Sequence, residues 1–263
     1  MTDRLPRLVG MVHLLPLPGA PRFAGSIDEV VATALDDARA LVDAGFPALI
    51  VENFGDAPFF ASTVPPETVA AMTVAASAVG SVGVPFGVNV LRNDAFAALG
   101  IAAVTGAAMI RVNILTGTMF TDQGPIVGPA AELARRRAAL APDVEIWADV
   151  MVKHATPPHG LQPGHAAEDT VARGLADAVI VSGAATGSEP DLETARAIKT
   201  GSPAGTRVVI GSGATARNLD SLLGVADTVI VGSAIKVDGD ADKRPDPLRA
   251  KAFIEKARES GLL

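Results

Sequence analysis

Eight short β-branched runs recur along the chain: LVGMVHL (8–14), ALIVENF (48–54), FGVNVL (86–91), MIRVNI (109–114), EIWADV (145–150), AVIVSG (178–183), RVVIGSG (207–213) and TVIVGSAI (228–235). Between most of them lie Ala-rich helical stretches. In SIDEVVATALDDARALVDAG (26–45), Ser26 and Glu29 make a capping box and Gly45 a C-terminal stop. Strand–helix alternation implies a parallel sheet. An open doubly wound sheet would satisfy it too, but its first turn usually carries a glycine fingerprint, and here that turn reads HLLPLPGAP. Eight repeats in 263 residues fit a closed (β/α)8 TIM barrel of the α/β class, with no linker or low-complexity tract dividing residues 1–263.

Composition narrows the partners. Hydrophobic residues make up 49% and charged ones 19%, ample for one core. The net charge of −7, with no basic stripe along a helix, argues against nucleic acid. Without cysteine there is no disulfide, thiolate nucleophile or zinc-thiolate site. No stretch reaches the ~18 apolar residues of a membrane span, and the start lacks a signal pattern. The expectation is a cytoplasmic protein.

In such barrels chemistry gathers at the C-terminal ends of the strands. Polar residues collect there: His13; Glu52 and Asn53; Asn89 and Arg92; Arg111 and Asn113; Asp149, Lys153 and His154; Ser182; Ser212; and Ser233 with Lys236. Alternation turns Ile110, Val112 and Ile114 towards the helices and Arg111 and Asn113 inward, and it places Glu52, Asn89 and Asp149 in the same ring. In WADVMVKHAT (147–156), a persisting strand would put Asp149, Met151 and Lys153 on one side and His154 on the other. Two readings stay open. Arg111 could pair with Glu52 or Asp149 as a structural network, or the set could be catalytic, since burying so many polar groups is costly. A drier pocket would lower the pKa of Lys153 towards use as a base or nucleophile.

The last two strands finish in IGSGAT (210–215) and VGSAI (231–235), each a Gly–Ser step leading towards a helix. Backbone N–H groups and a helix N-terminus in these positions suit a phosphate, so Ser212, Gly213, Gly232 and Ser233 are the phosphate candidates. A third glycine-rich turn, VSGAATG (181–187), places Ser182 and Gly183 alongside. No Gly-x-Ser-x-Gly elbow, Walker loop or His-Glu-x-x-His helix is present. Glu52, Asp149 and Asp122 are scattered carboxylates that could hold Mg²⁺ against a phosphate; no other metal is indicated. His159 and His165 lie in a Pro/Gly-rich connector and read as loop histidines. The loop LTGTMFTDQGPIVG (115–128) is the longest excursion and a candidate lid.

The segments VGMVHLLPLPGAP (9–21), VENFGDAPF (51–59), GVNVLRNDA (87–95), IRVNILTG (110–117), ADVMVKHA (148–155), DAVIVSGAATG (177–187) and VGSAIKVDG (231–239) together resemble the BtpA/SgcQ family nearly end to end. The resemblance implies a barrel of the ribulose-phosphate-binding kind. It leaves the reaction open, since some relatives are described as photosystem I biogenesis factors and others are presumed enzymes of sugar metabolism. The sequence departs from the pattern at Met151, where relatives often carry histidine. The expected function is an enzyme on a phosphorylated small molecule, by lyase, isomerase or glycosidic-bond chemistry. Asp149 or Glu52 would move a proton, Lys153 and Arg111 would stabilise negative charge, and His13, Asn89, Asn113, His154, Ser182 and Gly183 would bind substrate. The alternatives are a non-catalytic assembly factor and a phosphate-ligand sensor. A homo-oligomer is expected, with the apolar segment APFFASTVPP (57–66) either between subunits or over the site.

Overall fold

The computed structural model describes residues 5–183 and 189–263. Each of the eight runs forms a barrel strand: β1 (Leu8–His13), β2 (Leu49–Glu52), β3 (Phe86–Asn89), β4 (Met109–Val112), β7 (Glu145–Asp149), β9 (Ala178–Val181), β10 (Arg207–Ile210) and β11 (Thr228–Val231). All neighbours run parallel, and β1 pairs with both β2 and β11, so the cylinder is closed. The outer ring comprises α1 (Ile27–Ala44), α2 (Pro66–Gly80), α3 (Ala95–Thr105), α4 (Ala130–Leu140), α5 (Pro163–Glu168), α6 (Leu192–Gly201), α7 (Leu219–Leu223) and α8 (Pro247–Glu259). At the start of α1 the Ser26 hydroxyl accepts from Glu29 N at 3.1 Å. Gly45 ends that helix at φ 111°, a left-handed conformation glycine adopts without Cβ strain.

Period-two alternation builds two cores from the same strands. Val12, Val51, Val88, Ile110, Ile146, Val179, Ile210 and Val229 face the helices, whereas Val9, Met11, Ile50, Met109, Trp147, Ile180, Val209 and Ile230 fill the cylinder. Gly87 makes room for that filling, because a Cβ there would lie 2.1 Å from Met109 Sδ. Trp147 is fully buried, with Arg207 over its ring and Glu145 accepting from its Nε1 at 2.7 Å. The His13, Glu52, Asn89, Arg111 and Asp149 set lies at the opposite, C-terminal end of the strands.

The 115–128 excursion is an antiparallel hairpin, β5 (Thr118–Thr121) and β6 (Gly124–Val127). A two-residue strand, β8 (Ala155–Thr156), joins the other edge of β5. The expected continuation of the fifth barrel strand through Lys153 is therefore corrected. Strand β7 stops at Asp149, and Met151 and His154 adopt φ of 56° and 55°, turning the chain outward so that its backbone pairs with β5. Beneath this small sheet Ile114, Met119, Ile126 and Val152 form a separate apolar cluster. His165, read as a loop residue, lies on α5.

Candidate functional site

Register places the polar ends in one row: His13 is the Cα partner of Glu52, Glu52 of Asn89, and Asn89 of Arg111. Side chains at equal height on neighbouring parallel strands point the same way, so the four meet inside the barrel mouth. Asp149 completes the group from β7. It accepts from Arg111 Nε and Nη2 at 2.8 Å each, from Asn113 Nδ2 at 3.2 Å and from Ser182 Oγ at 3.0 Å. Each carboxylate oxygen thus receives two donors. The Arg111–Asp149 pair is sealed from solvent, with side chains 1% and 0% exposed. A bidentate guanidinium–carboxylate contact with further hydrogen bonds is the form in which a buried ion pair is tolerable.

Glu52 is less committed. Its Oε2 accepts from Asn89 Nδ2 at 2.6 Å, and its Oε1 lies 3.8 Å from His13 Nε2. Burial alone would raise its pKa, but the nearby Lys153 and Arg111 cations, together with the Asn89 hydrogen bond, hold it below the usual value. His13 Nδ1 sits 2.9 Å from the Ala241 carbonyl, which can only accept, so this nitrogen carries the proton and Nε2 presents a lone pair to the mouth. Burial, reinforced by Lys236, lowers the His13 pKa to about 4. The ring stacks on Phe54, centroids 4.3 Å apart.

Lys153 reaches the same space from the turn after β7. Burial lowers its pKa, the Glu52 carboxylate opposes that shift, and Arg111 adds to it. The mouth is a cavity of about 580 Å³ lined by Arg22, Glu52, Phe54, Phe59, Arg92, Asp122, Lys153, His154 and Asp242, among others. His154 lines its rim, and burial followed by Lys153 lowers its pKa. Among the described residues, three amide oxygens, Asn89 Oδ1, Asn113 Oδ1 and Gln123 Oε1, are buried without a hydrogen-bond partner, as is Arg92 Nε. Such groups are rare in folded proteins, and they mark places where a ligand can bond.

Ser212, Gly213, Gly232 and Ser233 do come together. They line one recess of about 20 Å³ with His13, Glu52, Arg111 and Lys153. That volume holds about one water-sized group, against the 580 Å³ of the adjoining mouth. The expected helix N-termini behind the two Gly–Ser steps are corrected. Residues 213–218 form a loop fastened by Asn218 Nδ2 to the Gly213 carbonyl at 2.9 Å, and α7 behind it has only five residues. After Gly232 the chain enters a 3-10 turn, Ser233–Ile235. Any anion there would be met by loop backbone and cations, with no helix dipole. Gly183 is buried beside Ser182, and residues 184–187 of the third glycine-rich turn lie outside the described residues.

Among the described residues, Glu52, Asp149 and Asp122 do not converge as a metal-holding group, for Asp149 is turned to Arg111 and Asp122 lies on the hairpin. The apolar segment 57–66 divides its roles: Phe59 lines the mouth, Phe60 is 57% exposed and Val64 is buried. Arg92 and Lys236 were placed at strand ends by the sequence but given no role, and Phe54 and Gly211 were not singled out. Gly211 admits Arg111, since a Cβ there would lie 3.2 Å from Arg111 Nη2 and 2.3 Å from Ile180 Cγ2. A glycine at a strand end was the available signal. Nothing in the sequence pointed to the Phe54 stack.

A model of the BtpA family matches residues 5–259. Photosystem I biogenesis protein BtpA of Synechocystis is 48% identical over 253 residues, covering 96% of this chain and 88% of that protein. The sgc region protein SgcQ of Escherichia coli is 30% identical, covering 95% and 93%. Among solved structures, phosphoribosyl anthranilate isomerase from Thermus thermophilus aligns with a TM-score of 0.59 at 15% identity, covering 96% of this chain and 98% of that one. At that identity the likeness is one of fold, a (β/α)8 barrel as the eight runs required.

Proposed function

The chain belongs to the BtpA family, and from that premise we propose that it is an enzyme acting on a phosphorylated small molecule by lyase, isomerase or glycosidic-bond chemistry. The observation that carries this reading is the shared recess: both final Gly–Ser turns, Arg111, Lys153 and Glu52 line one small space. Loops after the last two strands are the recurrent phosphate position of such barrels, and phosphoribosyl anthranilate isomerase, by its name a handler of a phosphoribosyl compound, has this fold.

In this reading Ser212, Gly213, Gly232 and Ser233 hold the phosphate. Glu52 transfers the proton, because it is the carboxylate with a free bonding position, and Asp149 orients Arg111. Lys153 and Arg111 stabilise negative charge as it develops. The unpartnered oxygens of Asn89 and Asn113 accept from substrate hydroxyls. General base catalysis of this kind contributes about 10²–10⁴ in rate.

The test is a thermal-shift screen of sugar phosphates and nucleotide-like phosphates against wild type, followed by turnover assays. A stabilising compound is expected, with Glu52→Gln keeping the shift and losing turnover. Absence of stabilisation by any phosphorylated compound would overturn the reading.

A second reading, a non-catalytic assembly factor, is favoured by the name of the Synechocystis relative. It expects stable co-purification with photosystem subunits and no ligand-dependent shift. Tight phosphate-ligand binding without product would instead mark a sensor.

A further inference from the structure

Behind His13, on the side away from Glu52, lies a second cavity of about 290 Å³. Its walls are the Leu14–Pro16 turn, α1 at Thr33 and Asp37, and the segment from Lys236 to Arg244. It shares Arg22, Phe54 and Asp242 with the main mouth, so the two adjoin. His13 stands between this cavity and the Gly–Ser recess, contributing to both.

Lys236 lines the cavity and is only 1% exposed. Among the described residues its ammonium makes no hydrogen bond or ion pair, although carboxylates surround it. They are engaged elsewhere: Asp37 accepts from Arg244 Nε at 2.7 Å and Glu52 from Asn89. Lys243 is likewise paired with Asp238 at 2.6 Å. The lining charges left over are Lys236, Arg22 and Asp242, one positive in excess. An unpaired buried ammonium is expensive in a folded chain, and a fold that keeps one facing a cavity offers it to an anion.

We propose that this cavity is a second anion subsite, in which Lys236 receives a carboxylate of the ligand whose phosphate occupies the Gly213–Gly232 recess. One excess positive charge matches a monoanion better than a phosphate dianion, and Leu14, Leu15, Pro16 and Phe54 suit the short carbon chain that would carry it. The link to a phosphorylated substrate rests on the proposed function; the carboxylate site itself does not. Burial lowers the Lys236 pKa to about 8, so the ammonium remains the main form at neutral pH.

The experiment uses the full chain and two probes, propionate and inorganic phosphate, followed by ¹H–¹⁵N NMR titration. Propionate is expected to move the amides of Leu15, Thr33 and Asp242 to Arg244 while leaving Gly213 in place. Lys236→Met should weaken propionate about tenfold or more, the loss of one charged hydrogen bond, without changing phosphate affinity. The variant keeps side-chain length and removes a buried charge, and the wild-type shift map stands even where the variant does not fold. Failure of propionate to bind, equal affinity in Lys236→Met, or phosphate displacing propionate from the Thr33 side would each overturn the proposal. Lys236-dependent propionate binding with no phosphate binding at all would uphold the subsite and defeat the phosphate reading.

Discussion

Of the two carboxylates at the barrel mouth, Asp149 has four donors on two oxygens, whereas Glu52 accepts one hydrogen bond and faces a bare imidazole nitrogen. The contrast sets the expected cost of mutation. Arg111→Met strips Asp149 of two bonds and leaves a buried charge unpaired, so urea unfolding should show a loss of about 3–5 kcal/mol. His13 gives a pH signature. Its pKa is about 6.5 unfolded and about 4 folded, so between those values the unfolded chain binds more protons and stability rises with pH. Acidification from about pH 6.5 towards 4 should therefore remove about 3 kcal/mol through this residue, and His13→Asn should flatten that part of the stability–pH curve. Alternation in the sequence was enough to turn Glu52, Asn89, Arg111 and Asp149 inward together. Which acid retains a free lone pair was not legible, because saturation of Asp149 depends on Asn113 and Ser182 reaching it from two other strands. Lys236 could be seen as a strand-end lysine, but its burial comes from the 237–246 segment folding back over it, which local pattern does not encode.

At the level of elements, the strand set was readable because each barrel strand is buried on both faces and shows as an apolar run. The fifth run misled beyond Asp149. Val150 and Val152 continue the alternation, yet Val152 belongs to the cluster under the three-stranded sheet, and the competing pairing with β5 ends the barrel strand. The hairpin itself was seen only as a long excursion, since neither of its strands exceeds four residues. The end of β10 yields a sharper prediction. A methyl group at Gly211 would meet Ile180 and press on Arg111, so Gly211→Ala should lower stability by about 1–3 kcal/mol in thermal or urea melts and weaken any ligand held by the recess.

Across the whole molecule, charge is distributed against electrostatic attraction of anions. The chain carries −7 overall. The named charges of the mouth balance, with Arg22, Arg92 and Lys153 against Glu52, Asp122 and Asp242. On the proposed function, a phosphorylated ligand would be recognised at close range by buried groups and not drawn in by a long-range field. Raising ionic strength, which shortens the Debye length to about 8 Å at physiological salt, should change its affinity no more than a few-fold by titration calorimetry. A steep decline would place the binding on exposed lysines and arginines instead. The β5–β6–β8 sheet has a mechanical corollary. It stitches the excursion after β4, which carries Asp122, to the turn after β7, which carries Lys153. Adjacent lips of the entrance, above the paired strands β4 and β7, are thus sewn along one seam, and a guest that tugs on either lip draws the other with it.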